Sequence, residues 1–179
     1  MKTKAAILFE VGKKLDLREV DLEPPRMGEV MIKMAAAGVC HSDLHVMTGH
    51  LSAPLPVVLG HEGSGVVAEV GPGVTNVKPG DHVIPLWRLS CGVCEYCSAG
   101  RPALCAEGLQ IRLTGRLLDG STRFRLGEKE INHFAGVSSF SEYSVLPARS
   151  VVKIPDDFPL DKAALLGCGV ITGVGAVFN

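Results

Sequence analysis

Cys91-Gly92-Val93-Cys94-Glu95-Tyr96-Cys97, with Cys105 following after seven intervening residues, sets four thiols at the spacing C-x2-C-x2-C-x7-C. Four thiolates surround one ion and leave no open coordination position, which is how a structural zinc is held. Working outward from this stretch, the other cysteines are Cys40 and Cys168, and His61 lies between them in the chain. Two sulfurs and one imidazole form a three-ligand set whose fourth tetrahedral position stays open, the arrangement of a catalytic zinc. All six cysteines are then divided between two metal sites. An iron–sulfur reading fits less well, because the last spacing is wide and Ala106, not Pro, follows Cys105.

The chain of 179 residues is long enough for one well-packed domain, or one domain and the start of another, but too short for two complete α/β domains. Eighteen basic and nineteen acidic residues leave a net charge of −1, which argues against a nucleic-acid or membrane surface and points to a small-molecule partner. A hydrophobic share of 46% with 21 Gly and 11 Pro describes a globular, turn-rich protein. Lys2 and Lys4 precede only five apolar residues before Glu10, shorter than a secretory leader requires. The expectation is a cytoplasmic location with reduced thiols, where clustered cysteines bind metal rather than pair as disulfides.

Short apolar runs punctuated by Gly and Pro predict strands at Ala5–Phe9, Val30–Ala36, Gly65–Val70, His82–Leu86, Ser141–Val145 and Ser150–Ile154. Alternation of the larger side chains around Lys33 predicts a half-buried strand there. Asp119-Gly120, between Leu117-Leu118 and Thr122–Phe124, predicts a hairpin. The reading is a mainly β domain with long loops, one of which, about 89–105, carries the four-Cys cluster as a metal-held lobe. After Asp161 and Lys162 the sixteen residues Ala163–Phe178 are uncharged and contain Cys168 and four glycines. They predict a helix that packs against other protein, since the run is shorter than a bilayer span.

Gly60-His61-Glu62-Gly63-Ser64-Gly65, followed by Gly71 and Val74, resembles the zinc signature of the medium-chain dehydrogenases. Cys40-His41-Ser42-Asp43-Leu44-His45 upstream, the four-Cys lobe, and Gly167-Cys168-Gly169 downstream extend the likeness over essentially the whole chain, in the family's order. The resemblance implies the GroES-like catalytic domain of a zinc-dependent alcohol dehydrogenase: a partly open β-barrel with short helices, a structural-zinc lobe, and a C-terminal helix leading to a Rossmann domain. On that reading 1–155 form the catalytic domain and 156–179 a helical connection to an absent nucleotide-binding domain. Gly167-x-Gly169-x-x-x-Gly173 imitates a dinucleotide fingerprint with one residue too many and no preceding strand, and is read as a decoy.

The resemblance further implies two zinc ions per chain. Cys40, His61 and Cys168 would hold the catalytic one, and Cys91, Cys94, Cys97 and Cys105 the structural one. Asp43 would orient the ligand histidine, and Glu62 would lie near enough to approach the metal. Ser42 would take the alcohol proton and His45 pass it to solvent, a task suited to an imidazole. His41, His45 and Thr172 would touch the NAD supplied with the missing domain, and Trp87 and Phe134 would line a pocket narrow enough for small primary alcohols. The full-length enzyme would be a homo-oligomer, with this chain inactive by itself. Branches that oxidise glutathione adducts carry an acidic residue near Leu51 and an Arg near Leu109; both positions are Leu here, which counts against that substrate.

Plainer readings stand beside these. Outside its motif His45 would be a solvated surface residue, Cys168 a buried small hydrophobe, and Trp87 and Phe134 core. Glu62 reads equally well as an ion-pair partner. His50, His82 and His133 lack any motif and read as surface or packing residues. Two alternatives to the alcohol dehydrogenase also remain: a stand-alone zinc-binding assembly module resembling the ring-forming co-chaperonin of the same barrel, and a polyol or threonine dehydrogenase relative.

Overall fold

Val30, Met31 and Ile32 are all buried in succession, so this strand is covered on both faces instead of one. In the computed structural model, which describes residues 1–178, β3 (Glu29–Gly38) pairs antiparallel with β5 (Glu62–Val70) on one side and β9 (Tyr143–Pro147) on the other. With β6 (His82–Pro85) and β10 (Val151–Lys153) they make a five-stranded sheet in the order β10-β6-β5-β3-β9. Met31 packs into one core with Ala5, Ile7, Phe124 and Val145, whereas Val30 and Ile32 pack into another with Val67, Val83 and Leu146. The expected alternation holds only from Lys33 onward, where Lys33, Ala35 and Ala37 are exposed and the residues between them are not.

The second sheet closes on itself as a small barrel in the order β1-β2-β7-β8-β4. Its strands are β1 (Lys2–Leu8), β2 (Asp16–Leu22), β4 (Val57–Val58), β7 (Phe124–Leu126) and β8 (Lys129–His133). β2 was absent from the sequence expectation because its charged residues hide the apolar pair Val20 and Leu22, which alone are buried. It forms because β1 offers it a continuous antiparallel edge from Lys2–Asp21 to Ile7–Asp16. The hairpin expected at Asp119-Gly120 is corrected. That turn exists, with the Gly120 N–H donating to Leu117 O at 2.9 Å, but Leu117-Leu118 is no strand. The strand pair instead turns two residues past Leu126, between β7 and β8.

A buried ion pair joins the two sheets. The Arg123 side chain is fully buried and forks onto Glu29 of β3, with Nε to Oε2 at 2.9 Å and Nη2 to Oε1 at 2.5 Å. The fork geometry matches guanidinium to carboxylate in two parallel hydrogen bonds.

The C-terminal stretch is helical, as expected, through α4 (Leu160–Ala163), a π-helical turn at Leu166–Val170 and α5 (Ile171–Phe178). By length and composition Leu160–Phe178 could cross a membrane, which revises the expectation that it is too short. Its first half is nevertheless anchored on the sheet: Ala163 belongs to a core cluster with Ile84 and Ile154. α5 buries none of its residues, and Phe178 is 81% exposed. Asn179 lies outside the described residues.

His133, expected to be a surface or packing residue, is packed: it is 1% exposed, stacks on Phe124 at 4.9 Å, and its Nε2 accepts the Arg123 backbone N–H at 3.3 Å. Burial, then the charges of Arg123 and Arg116, push its pKa down to about 3. A histidine with a depressed folded pKa contributes stability that is present at neutral pH and lost as pH falls from about 6.5 toward 3, because the unfolded chain binds the proton first. Urea unfolding at successive pH values is expected to show this loss, on the order of 3 kcal/mol by pH 4. His133→Gln, which keeps an acceptor but does not titrate, removes that part of the pH dependence.

Candidate metal centres

The four-Cys lobe is built from short pieces whose backbone N–H groups point at sulfur. Cys91 Sγ accepts the N–H of Cys94 at 3.2 Å and of Val93 at 3.5 Å, and Cys105 Sγ accepts the N–H of Cys91 at 3.3 Å. α2 (Glu95–Ser98) starts directly after Cys94 and carries Cys97 onto the same side; α3 (Ala106–Thr114) starts directly after Cys105. The loop expected at about 89–105 therefore contains α2 and one 3-10 turn, Pro102–Leu104. Donation from the N–H groups of Cys97 and Ala106 lowers the Cys94 thiol to about 6, and the Ser90 hydroxyl lowers that of Cys97. All six cysteines are free thiols, and the four sulfurs here lie within 4.8 Å of one another. Four convergent sulfurs, with the thiols of Cys94 and Cys97 both made more acidic, fit a tetrahedral zinc and could hold it as a structural ion. Arg149 ties the lobe to the sheet through Cys91 O at 3.2 Å and Glu107 at 2.7 Å.

The second centre is assembled from distant segments. Cys40 caps α1 (His41–Thr48), His61 directly precedes β5 and Glu62 opens it, and Cys168 sits in the π-helical turn before α5. Their donor atoms also lie within 4.8 Å of one another. The close approach demands small neighbours: a Cβ on Gly38 would collide with the Glu62 carboxylate. Gly60 adopts φ +91°, a left-handed conformation that suits glycine, and a side chain there would strike Ser139 and Phe140.

Asp43 organises the set. Its Oδ2 accepts the Cys40 N–H at 3.2 Å, while Oδ1 accepts the Gly60 N–H at 3.0 Å and faces His61 Nδ1 at 3.3 Å. A proton on Nδ1 leaves Nε2 as the free nitrogen. Burial opposes protonation of His61, but the hydrogen bond and charge of Asp43, with those of Cys40, outweigh it and raise the pKa. Cys40 is lowered: burial acts upward, and the Ser42 N–H and hydroxyl with His61 overcome it. Burial and the negative charges of Cys40 and Glu62 raise the Cys168 thiol to about 11. Two sulfurs and a carboxylate crowded together repel one another, and a divalent cation among them reverses that repulsion. The residues present therefore fit a zinc ion.

The metal donors open onto a cleft of about 290 Å³. Ser42, His61 and Cys168 line it with Trp87 and Phe134, whose rings stand edge-on to His61 at 6.2 and 5.6 Å. The sequence reading missed Arg88 and Arg112, which also face this cleft. Arg88 follows Trp87 directly, so its neighbour was the available signal; Arg112 lies on α3, a helix the reading did not include. Leu51 lines the cleft, and Leu109 does not. His41 and His45 are one turn apart on the exposed side of α1, with ring centroids 4.5 Å apart, and His50 is 5.6 Å from His45. Thr172 is exposed on α5. A larger groove of about 870 Å³, between Arg26, Asn76 and Arg149, contains no member of the second donor set.

A closed four-sulfur set beside an open sulfur–imidazole set at a cleft, on a barrel-and-sheet frame, is the architecture of a zinc-dependent dehydrogenase catalytic domain. Residues 26–156 match the family described as the alcohol dehydrogenase GroES-like domain, and the chain belongs to that family. It is 48% identical over 180 residues to S-(hydroxymethyl)glutathione dehydrogenase of Escherichia coli O1:K1, and equally to that of Shigella sonnei, covering all of this chain and 49% of each relative. Among solved structures it resembles an alcohol dehydrogenase zinc-binding domain protein from Burkholderia ambifaria, at 36% identity and a TM-score of 0.93, covering 100% of this chain and 49% of that one. It resembles benzyl alcohol dehydrogenase from Acinetobacter calcoaceticus at 36% identity and a TM-score of 0.91, covering 100% and 48%. The chain thus spans about half the length of these relatives.

Asp43→Ala in the metal-free protein is expected to lower stability by on the order of 3 kcal/mol in urea unfolding, because the buried Gly60 N–H and the half-buried Cys40 N–H lose a charged acceptor. The same change is expected to lower the His61 pKa, read by NMR titration of its ring protons.

Proposed function

We propose that this chain is the zinc-carrying catalytic domain of an NAD-dependent alcohol dehydrogenase, whose cofactor domain is a further part of the protein. The observation that carries the reading is the convergence of Cys40, His61 and Cys168, from three separate segments, at the side of one cleft. Zinc bound there would supply Lewis acidity that makes an alcohol hydroxyl easier to deprotonate near neutral pH.

The chain's own residues would do the rest. Cys40, His61 and Cys168 would hold the ion, and Glu62, whose carboxylate belongs to the same donor set, would be a further ligand near it. Asp43 keeps His61 in one orientation. Ser42 lies in the cleft with its hydroxyl 3.8 Å from Cys40 Sγ, placed to accept the hydroxyl proton, and His45 on the exposed side of the same helix delivers it to water. NAD⁺ held with the cofactor domain would supply the acceptor for the carbinol hydride, the overall balance being alcohol and NAD⁺ to carbonyl, NADH and one proton. His41 and Thr172 would contact the cofactor. Trp87 and Phe134 wall the cleft and exclude water from the reacting carbon. Six free thiols suit a reducing cytoplasmic compartment. A homo-oligomer formed through the remainder of the protein completes this reading.

A second substrate reading, a glutathione adduct of formaldehyde, draws support from the name of the relatives at 48% identity. Leu51 and Leu109 stand against it, because neither can hold a charged group of glutathione.

Elemental analysis of the purified chain is expected to give two zinc ions, falling to one in Cys168→Ser with the four-Cys lobe still loaded. No zinc, or no change in Cys168→Ser, overturns the assignment. In the full-length enzyme Ser42→Ala is expected to lower kcat by about 10²-fold or more, the scale of a lost proton-transfer group.

A further inference from the structure

Trp87 is the only tryptophan of the chain, and two arginines share its ring. The guanidinium carbon of Arg88 is 4.2 Å from the ring centroid and that of Arg112 is 5.6 Å. Arg18, Arg26, Arg116, Arg123, Arg125 and Arg149 each hold a carboxylate. Among the described residues Arg88, Arg101 and Arg112 are in no ion pair; of these only Arg88 and Arg112 line the cleft, and the one side-chain hydrogen bond from either runs from Arg88 Nη1 to Ala103 O at 2.9 Å. Each guanidinium carries five N–H donors, so most of this capacity is unspent. Burial, then the charge of Arg112, lowers the pKa of Arg88, which places two like charges near one another with no counter-ion. Both face the same cleft as Ser42, His61 and Cys168.

We propose that Arg88 and Arg112 form an anion subsite that selects alcohols bearing a carboxylate at the end remote from the hydroxyl. The inference rests on the dehydrogenase reading above and names the substrate class. Trp87 lies 6.2 Å from the His61 ring and 4.2 Å from the Arg88 guanidinium carbon, so the anion subsite is within about 10 Å of a metal ligand. That span suits a short hydroxy acid or an aryl alcohol with a para carboxylate. A guanidinium binds carboxylate through paired N–H donors, and the ring under it holds the fork flat. The pair differs from the position at Leu109, so it recognises an anion by a separate route.

The test uses the zinc-loaded chain, with Trp87 fluorescence reporting the subsite and calorimetry giving Kd. Benzyl alcohol and 4-(hydroxymethyl)benzoate differ only in the carboxylate. The acid is expected to bind at least tenfold more tightly, and the difference to shrink with added salt. Arg112→Gln is expected to remove about tenfold of the preference and Arg112→Lys to restore part of it, with zinc content unchanged in both. Arg88→Gln provides the second half of the pair. S-methylglutathione, run beside the aryl acid, separates a peptide carboxylate from that of a small alcohol; arginine-dependent binding of either supports the subsite. Equal Kd values for benzyl alcohol and its acid, or a preference untouched by both Gln variants, overturn the proposal. Failure of the metal reading is distinguishable: a metal-free chain that still binds benzoate through Arg112 keeps the anion subsite and loses only the zinc.

Discussion

One buried carboxylate holds the candidate active centre together. Asp43 accepts from Cys40 N–H, from Gly60 N–H and from His61 Nδ1, so it joins the start of a helix to the start of a strand about twenty residues further along the chain. A charged acceptor with three donors compensates its own desolvation. The same bonds hold two donor residues, Cys40 and His61, at one place, and fix which ring nitrogen faces the cleft. Cys168 then needs only to be brought alongside, which the π-helical turn packed on β6 accomplishes.

The two donor sets differ in how the chain builds them. The four-Cys lobe is local: successive backbone N–H groups converge on sulfurs a few residues away, and two short helices start directly after cysteines. Such a set can be recognised from spacing because nothing distant is required. The open set is nonlocal, and its donor atoms converge only when β3, β5 and the C-terminal helical stretch come together. Spacing alone leaves Cys168 a small buried hydrophobe; the likeness to a family supplied its place, and the geometry agrees with it.

The fold was legible where apolar runs are continuous and obscure where charge interrupts them. Six predicted strands correspond to β1, β3, β5, β6, β9 and β10, each within a few residues. β2 escaped because only Val20 and Leu22 of its seven residues are fully buried, and α3 because its length is set by packing of Ile111 beneath the cysteine lobe. The turn at Asp119-Gly120 is real, yet the Asp119 and Ser121 side chains there serve Arg26 and Arg123 instead of a strand pair. Turn chemistry specifies a reversal; it does not specify that a ladder follows.

By itself the sequence determined the four-Cys set, from local spacing, and the mainly β architecture, from its apolar runs; the place of Cys168 and the carboxylates of the open set came from the likeness to a family. Only the tertiary structure decided the double burial of β3, the Arg123–Glu29 fork between the sheets, and the placing of Arg88 and Arg112 on one tryptophan. Those features depend on which distant side chains share a volume, and a linear pattern carries no record of that until the backbone closes around it.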